Sequence, residues 1–443
     1  MRNLKINAKY FGLLRKWGVV LLATTTFLSS EAISATAAET SCDPNQSTIL
    51  IDCDFTGADL SGRSFVDYVI ANSKFNGANL SNTNFTGVNL SGNDFSALIR
   101  ASETVSTDLT NANLANANLN SVNFSKAVLT YANISGADLS EADISFVISG
   151  AISGSPLKLP NAWHLVRGLF VGPKANLYQA NLSGLDLRNW DFSGANLAGA
   201  QLVDSSFNGA KFVGANLRNA NFERSNLEGV DLSSANLFGA NLSWAVIRDT
   251  NFTKANLNSI VRTCYDYWGC NVNERFSLSG AILTGSRSSN VNVYSPWNGG
   301  AIPMPAGWRQ QNMIFFGPTA DLSGLILRQI DLTGLNLSNA NLTGVDLSGS
   351  NLSGTDLSNA VLTGVISGAV TGTPTLPVGW SLVNGYLVGP GAKLANASLA
   401  KANLFGLDLS GVDFTNTNLA GANLWGANLT NTNLTNANLS KAK

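Results

Sequence analysis

Asn341-Leu342-Thr343-Gly344-Val345-Asp346-Leu347-Ser348-Gly349-Ser350-Asn351-Leu352-Ser353-Gly354-Thr355-Asp356-Leu357-Ser358-Asn359-Ala360 is the stretch that decides how this chain folds. It writes one five-residue phrase four times: Asn or Asp, leucine, two small polar residues and a small residue. A period of five suits neither an amphipathic helix near 3.6 nor a strand at 2. Within Val345-Asp346-Leu347-Ser348-Gly349 the two apolar residues are two apart, so a short extended segment points both to one side and Asp346 to the other. Ser348-Gly349 is turn chemistry, so the chain bends there and begins a new side. Four sides close a roughly square coil of about twenty residues, and successive coils stack at about 4.8 Å.

The register extends far beyond this stretch. Marking the large apolar residue of each phrase gives Phe55, Leu60, Phe65, Ile70, Phe75, Leu80, Phe85, Leu90 and Phe95, and the pattern resumes over Leu109–Ile144, Leu177–Leu257, Leu322–Leu362 and Leu394–Leu439. About 53 phrases at one short period define a solenoid, with about thirteen coils in a rod on the order of 60 Å long. The first run supports the coil length independently. Phe55, Phe75 and Phe95 are spaced to stack on one face, Phe65 and Phe85 on the opposite one, and Leu60/Leu80 and Ile70/Leu90 on the other two. Residues ringed in this way line a dry interior, each contributing roughly 1.5 to 3 kcal/mol.

Ala112-Asn113-Leu114, Ala195-Asn196-Leu197 and Ala402-Asn403-Leu404 match the A(N/D)Lxx phrase of pentapeptide-repeat proteins, and the chain resembles that family. The resemblance implies an all-β, right-handed quadrilateral parallel β-helix. It says much about fold and little about function.

The formal net charge is −1, with 12% charged residues. Such a balance gives no support for a nucleic-acid partner. Arg2, Lys5, Lys9, Arg15 and Lys16 precede the apolar run Gly18–Ala23, and Ala35-Thr36-Ala37 offers a cleavage site. This pattern predicts a signal peptide over 1–37, with no transmembrane segment in the mature chain. Its removal takes away five basic residues and one acidic, leaving a mildly acidic exported protein in the periplasm or beyond the cell. The cysteines fall as Cys42/Cys53 and Cys264/Cys270, spacings that suit local disulfides in an exported chain, although other pairings exist.

Three copies of one module interrupt the phrases. Leu159-Pro160-Asn161-Ala162-Trp163 through Gly172-Pro173, Met304-Pro305-Ala306-Gly307-Trp308 through Gly317-Pro318, and Leu376-Pro377-Val378-Gly379-Trp380 through Gly389-Pro390 share their beginnings and ends. Asn384-Gly385 between apolar runs signals a hairpin with a type I′ turn, so each insert is expected to be a hairpin leaving the rod. Trp163, Trp308 and Trp380 are either exposed stacking platforms for a sugar or partner, or lids lying on the coil. A two-stranded hairpin needs a surface to bury, which favours lids. The middle insert adds Tyr265, Tyr267 and Trp268 within the Cys264–Cys270 segment, then Tyr294 and Trp297; this aromatic loop is a candidate binding site.

The expected organisation is therefore a signal peptide (1–37), a disulfide cap (38–53), repeats (54–149), a hairpin (150–175), repeats (176–260), a long aromatic insert (261–320), repeats (321–366), a hairpin (367–391) and repeats (392–443). The spacing of the outer two inserts suggests that they carry no repeat phrases, whereas the middle one retains degenerate ones.

Chemistry is sparse. His164 is the one histidine and has no carboxylate or nucleophile in register, and no phosphate loop, metal-ligand cluster or cofactor motif appears. A non-enzymatic scaffold binding a protein or glycan is the expected function. Some family members mimic DNA and act on a type II topoisomerase, and the resemblance carries that cytoplasmic alternative. Against it, Asp at the outward position never sits one coil above another Asp: Asp191, Lys211, Asp231 and Asn251 alternate, as do Asp54, Lys74 and Asp94, while Asn176, Asn196, Asn216, Asn236 and Asn256 form a neutral ladder. Stacked carboxylates would repel. The last phrases end without a capping element, and an uncapped coil edge is a template for a second copy, giving a homodimer.

Overall fold

The computed structural model describes residues 42–262, 283, 286, 288, 292–293 and 304–443. They fall into two compact units, one holding the described residues up to Ile144 with Gly150–Pro160, the other Ser145–Ser149 and the described residues from Asn161 on. Both are built from the same coil.

Each phrase folds as its residue types dictate. In Asp54-Phe55-Thr56-Gly57-Ala58, Asp54 forms a single parallel bridge with Lys74, Phe55 is buried, and the Ala58 amide donates to the Phe55 carbonyl at 3.0 Å. Gly57 sits at φ +71° in the third place of that turn, which makes it type II and explains why Gly and Asn recur there. Bridges repeat at a step of twenty, Asp54 with Lys74 and Lys74 with Asp94, and Asn176 through Asn196, Asn216 and Asn236 to Asn256. Inside, the expected aromatic columns form: Phe55 on Phe75 at 5.1 Å, Phe75 on Phe95 at 4.5 Å and Phe65 on Phe85 at 4.9 Å.

The first unit opens with the Cys42–Cys53 disulfide, whose Cα atoms are 5.5 Å apart. Tyr68 donates its hydroxyl to the Pro44 carbonyl at 2.8 Å, and Arg63 donates to Asn45 Oδ1 at 2.8 Å. Ile49-Leu50-Ile51, expected within a separate cap, instead forms β1 (Ile49–Ile51), which pairs in parallel with β2 (Val69–Ala71) and so belongs to the first coil.

Longer coils accommodate inserts without breaking the stack. Asn79 pairs with Asp108, a step of 29, because β3 (Leu98–Ile99) and β4 (Thr104–Val105) form an antiparallel excursion that the register showed only as a gap. The buried Thr107 roots it by accepting from the Gly77 amide at 2.8 Å and donating to the Ser96 carbonyl at 2.8 Å. Phe95 still meets Phe124 at 5.3 Å. In the second unit Ile148 pairs with Asn176 and Ile366 with Lys393, steps of 28 and 27.

These two steps revise the insert boundaries. Ser153 bridges Asn133 and Lys158 bridges Asp138 in the first unit, and Thr371 bridges Asn351 and Thr375 bridges Asp356 in the second. The outer inserts thus retain coil sides, contrary to the expectation from spacing. Gly154 and Gly372 stand where other phrases carry the large apolar residue, at φ +83° and +94°, and the backbone passes so close to Ser135 and Ser353 that a β-carbon would collide with their amides. A side pressed this close has no room for the residue that marks the period.

The hairpins proper are β5 (His164–Val166) with β6 (Leu169–Val171), β9 (Arg309–Gln311) with β10 (Ile314–Phe316), and β11 (Ser381–Val383) with β12 (Tyr386–Val388). At the edge of the middle insert, β7 (Val261–Arg262) pairs in parallel with β8 (Asn292–Val293). Both central turn residues have positive φ in each hairpin: Arg167 and Gly168, Asn312 and Met313, Asn384 and Gly385. This is the type I′ geometry foreseen for Asn384-Gly385. Met313, 54% exposed at φ +60°, bears the cost of a left-handed backbone without evident return. Replacing Met313 by Gly is expected to raise stability by about 1 kcal/mol in a urea titration, and no gain would show the methionine to be held by packing.

Candidate functional site

The three modules are anchored alike. The amide of Phe170 donates to Ser149 Oγ at 3.1 Å, Phe315 to Ser288 Oγ at 2.9 Å and Leu387 to Ser367 Oγ at 2.9 Å. These bonds set β6, β10 and β12 against the coil, with Phe170, Phe315, Phe316, Leu387 and Val388 buried. The hairpins therefore lie on the solenoid instead of leaving it. Their tips are tied down as well: Arg167 donates to the carbonyls of Asn181 and Ser183 at 3.1 Å each, Gln311 Nε2 to the Asp331 carbonyl at 2.8 Å, and the Ser398 amide to the Tyr386 hydroxyl at 3.2 Å.

Trp163, Trp308 and Trp380 are half-buried lids. Each covers the glycine that closes its module, so a β-carbon on Gly172 would lie 2.5 Å from Trp163 Cδ2, and one on Gly317 or Gly389 would meet Trp308 or Trp380 well within 3.0 Å. Trp308 packs against two consecutive hydrophobic clusters and Trp380 against the next pair. Of the two readings of these tryptophans, the geometry places them as lids, Trp308 and Trp380 each across a core boundary. His164 stacks on Trp190 at 3.7 Å, and burial holds its pKa below the ordinary 6.5. It has an aromatic face for a neighbour and, among the described residues, no carboxylate that shifts its titration. Tyr265, Tyr267, Trp268, Tyr294, Trp297, Cys264 and Cys270 lie outside the described residues.

The outward Asx positions form a directional hydrogen-bond system. Asx oxygens accept the amide two residues on, as Asp59 Oδ1 does from Ser61 at 3.1 Å, and where Asn stands on the next coil they can also accept its amide group, as from Asn79 Nδ2 at 3.1 Å. Asn251 donates in the same way to Asp231, Asn341 to Asp321 and Asn428 to Asp408, each at 3.0 Å. A carboxylate cannot donate, so Asp can accept from the coil above but makes no such bond to the coil below, as where Asp138 follows Asn118. Among the described bridges none joins Asp to Asp. Asp346 is the exception to outward exposure: it is 4% exposed, bracketed by Ile326 and Ile366 one coil to either side, with Arg328 donating to it at 2.6 Å.

These bonds have a pH signature. Hydrogen bonds from Thr56, Ser61, Ser140 and Ser358 hold Asp54, Asp59, Asp138 and Asp356 below the ordinary 3.8, and the Arg224 guanidinium does the same for Asp204. Burial pushes Asp346 up, but its bonds from Ser348 and Arg328 outweigh this and leave it lowered. A carboxyl depressed in the folded state contributes stability above its unfolded value and loses it as pH falls through the folded value. The melting temperature is expected to hold from neutral pH to about 4.5 and to decline below about 3.8. A rise on acidification would contradict it.

Some aromatic side chains face outward. Tyr178, Phe405 and Trp425 each follow the central leucine of an Asn-Leu-aromatic phrase and are exposed. Phe405 and Trp425 lie one coil apart and stack at 5.4 Å, while Arg218 sits 4.5 Å from the centroid of Phe238, which occupies the same phrase position. The sequence carried this signal: that position is usually a small or polar residue, as at Thr343, Ser348 and Ser353. Among the described residues no group of three or more His, Cys, Asp and Glu could hold a metal ion, and no helix is long and apolar enough to cross a membrane.

Short parallel sides, one bridge apiece, closing coils of twenty residues define an all-β solenoid of five-residue repeats. A model of pentapeptide repeats matches in eight copies, at 69–97, 107–145, 174–209, 200–237, 225–259, 326–364, 391–419 and 413–443. These cover more than half of the chain, which belongs to the pentapeptide-repeat family. It is similar to HetL, a pentapeptide repeat protein involved in heterocyst differentiation regulation in the cyanobacterium Nostoc sp. strain PCC 7120, with 28% identity over 54% of this chain and 86% of that one, at a TM-score of 0.15. A pentapeptide repeat protein of the Arabidopsis thaliana thylakoid lumen shows 31% identity over 25% of this chain and 70% of its own, at a TM-score of 0.17. QnrB1, a plasmid-mediated fluoroquinolone resistance protein, shows 16% identity over 55% and 94%, also at 0.17. The family rests on the repeats and not on these superpositions. No curated protein matches the chain.

Proposed function

We propose that this protein is an exported, non-enzymatic repeat scaffold that binds a protein or glycan in the periplasm or beyond the cell. The Cys42–Cys53 disulfide carries the reading, because such bonds persist in oxidising compartments and are rare in the cytosol. The basic and apolar pattern of residues 1–37 agrees with it. Pentapeptide-repeat proteins are generally non-enzymatic scaffolds with protein partners. The alternative, a cytoplasmic DNA mimic acting on a type II topoisomerase, needs a concentrated acidic face, whereas here carboxylates alternate with Asn and Lys from coil to coil.

Fractionation of the native organism with mass spectrometry of the protein's N-terminus tests this reading. Cleavage near Ala37 in an exported fraction is expected, and an intact Met1 in the soluble cytoplasm would overturn it.

A further inference from the structure

The outer face of the phrase is built to be small. After each central leucine the chain turns, and the next side chain stands in water, so Thr343, Ser348, Ser353 and Ser358 are what the turn needs. Phe405 and Trp425 break this rule twice at one place. They follow Leu404 and Leu424 in Asn-Leu-aromatic-Gly phrases whose asparagines, Asn403 and Asn423, bridge neighbouring coils. Phe405 is 51% and Trp425 70% exposed, and the fully buried Leu404 already fills the interior at its coil. The stacked pair therefore does little for folding, and large aromatics left in water point to a ligand.

The flanks define the chemistry. On one side Asn423 Nδ2 donates to Asn403 Oδ1 at 3.3 Å, and across the corner Asn428 Nδ2 donates to Asp408 Oδ1 at 3.0 Å. Each of these amide nitrogens keeps a second hydrogen, and acceptor capacity remains on Asn423 Oδ1, which accepts only from the Trp425 amide, and on Asp408 Oδ2. The corner residues between the aromatic pair and the second ladder are Gly406 and Gly426, at φ +67° and +72°, so no side chain separates the rings from it. Asp408 is the one charged group in the two ladders, which argues against an ionic ligand. An apolar peptide would cover the rings and leave the amides unmatched, at a desolvation cost.

A pyranose offers both complements at once, a C–H face for the aromatic rings and hydroxyls on its rim for the amides and the carboxylate. We infer that Phe405 and Trp425, with the Asn403/Asn423 and Asp408/Asn428 ladders, form a binding platform for a neutral polysaccharide. This rests on the exported binding role proposed above and names its ligand class.

Native gel electrophoresis of the full chain in gels containing laminarin, xylan, hydroxyethyl cellulose or glycol chitin tests it. At least one of the four is expected to retard the protein. Trp425→Ala and Phe405→Ala are each expected to weaken that retardation about tenfold with the melting temperature unchanged, and Tyr178→Ala, at the same phrase position in another run, to leave it intact. Retardation by none of the four, or retardation that survives Trp425→Ala, overturns the platform. Either of those results leaves the exported role standing, because that role falls separately, on finding intact Met1 in the cytoplasm.

Discussion

Gly317→Ala is expected to destabilise the protein by about 3 kcal/mol, a large effect for one methyl group. The added carbon would collide with Cγ, Cδ2 and Cε3 of Trp308, and the rigid indole cannot yield locally. It has to leave the surface it covers, exposing the boundary between the two clusters it packs against. A double-mutant cycle separates this from a general intolerance of substitution. Trp308→Ala alone is expected to cost about 3 to 5 kcal/mol, and adding Gly317→Ala to it should cost almost nothing more, since the collision has gone. Additive costs in urea titrations would mean that the glycine is required for some other reason. The same non-additivity is expected for Gly172 with Trp163 and Gly389 with Trp380.

Phe75→Ala is expected to cost about 3 to 5 kcal/mol. Phe75 is fully buried between Phe55 at 5.1 Å and Phe95 at 4.5 Å, so truncation opens a cavity inside a column whose backbone spacing is held by inter-coil hydrogen bonds. Phe75→Leu is expected to cost only about 1 kcal/mol, because leucine holds the equivalent place in neighbouring phrases such as Leu80 and Leu90. Equal costs for the two variants would mean that ring stacking, and not filled volume, supports the column.

The repeated fold was legible because its signal is local and redundant. The bend after Thr56-Gly57, the inward Phe55 and the outward Asp54 follow from residue types within five positions, and the phrase recurs often enough to fix the twenty-residue coil through Phe55, Phe75 and Phe95. Reading failed where the period loses its marker. Gly154 and Gly372 occupy the place of the large apolar residue, so the sides at Ser153 and Thr371 carry nothing in sequence that marks them as coil. The Leu98–Val105 excursion was seen only as a gap, because two two-residue strands leave no periodic trace. Aromatic content is concentrated in the tryptophan modules, while the exposed pair lies within ordinary repeats.

By itself the sequence determined the five-residue phrase, the four-sided coil, the buried columns and the spacing of carboxylates, since each follows from turn chemistry, side-chain alternation and repulsion between near neighbours. Only the tertiary structure decided what the three tryptophans do. A tryptophan before a hairpin reads equally as platform or lid, and the choice depends on a glycine nine residues later folding beneath the ring. Tertiary structure also decided that Phe405 and Trp425 meet, because twenty residues of chain separate them and only stacking of the coils brings their rings to 5.4 Å.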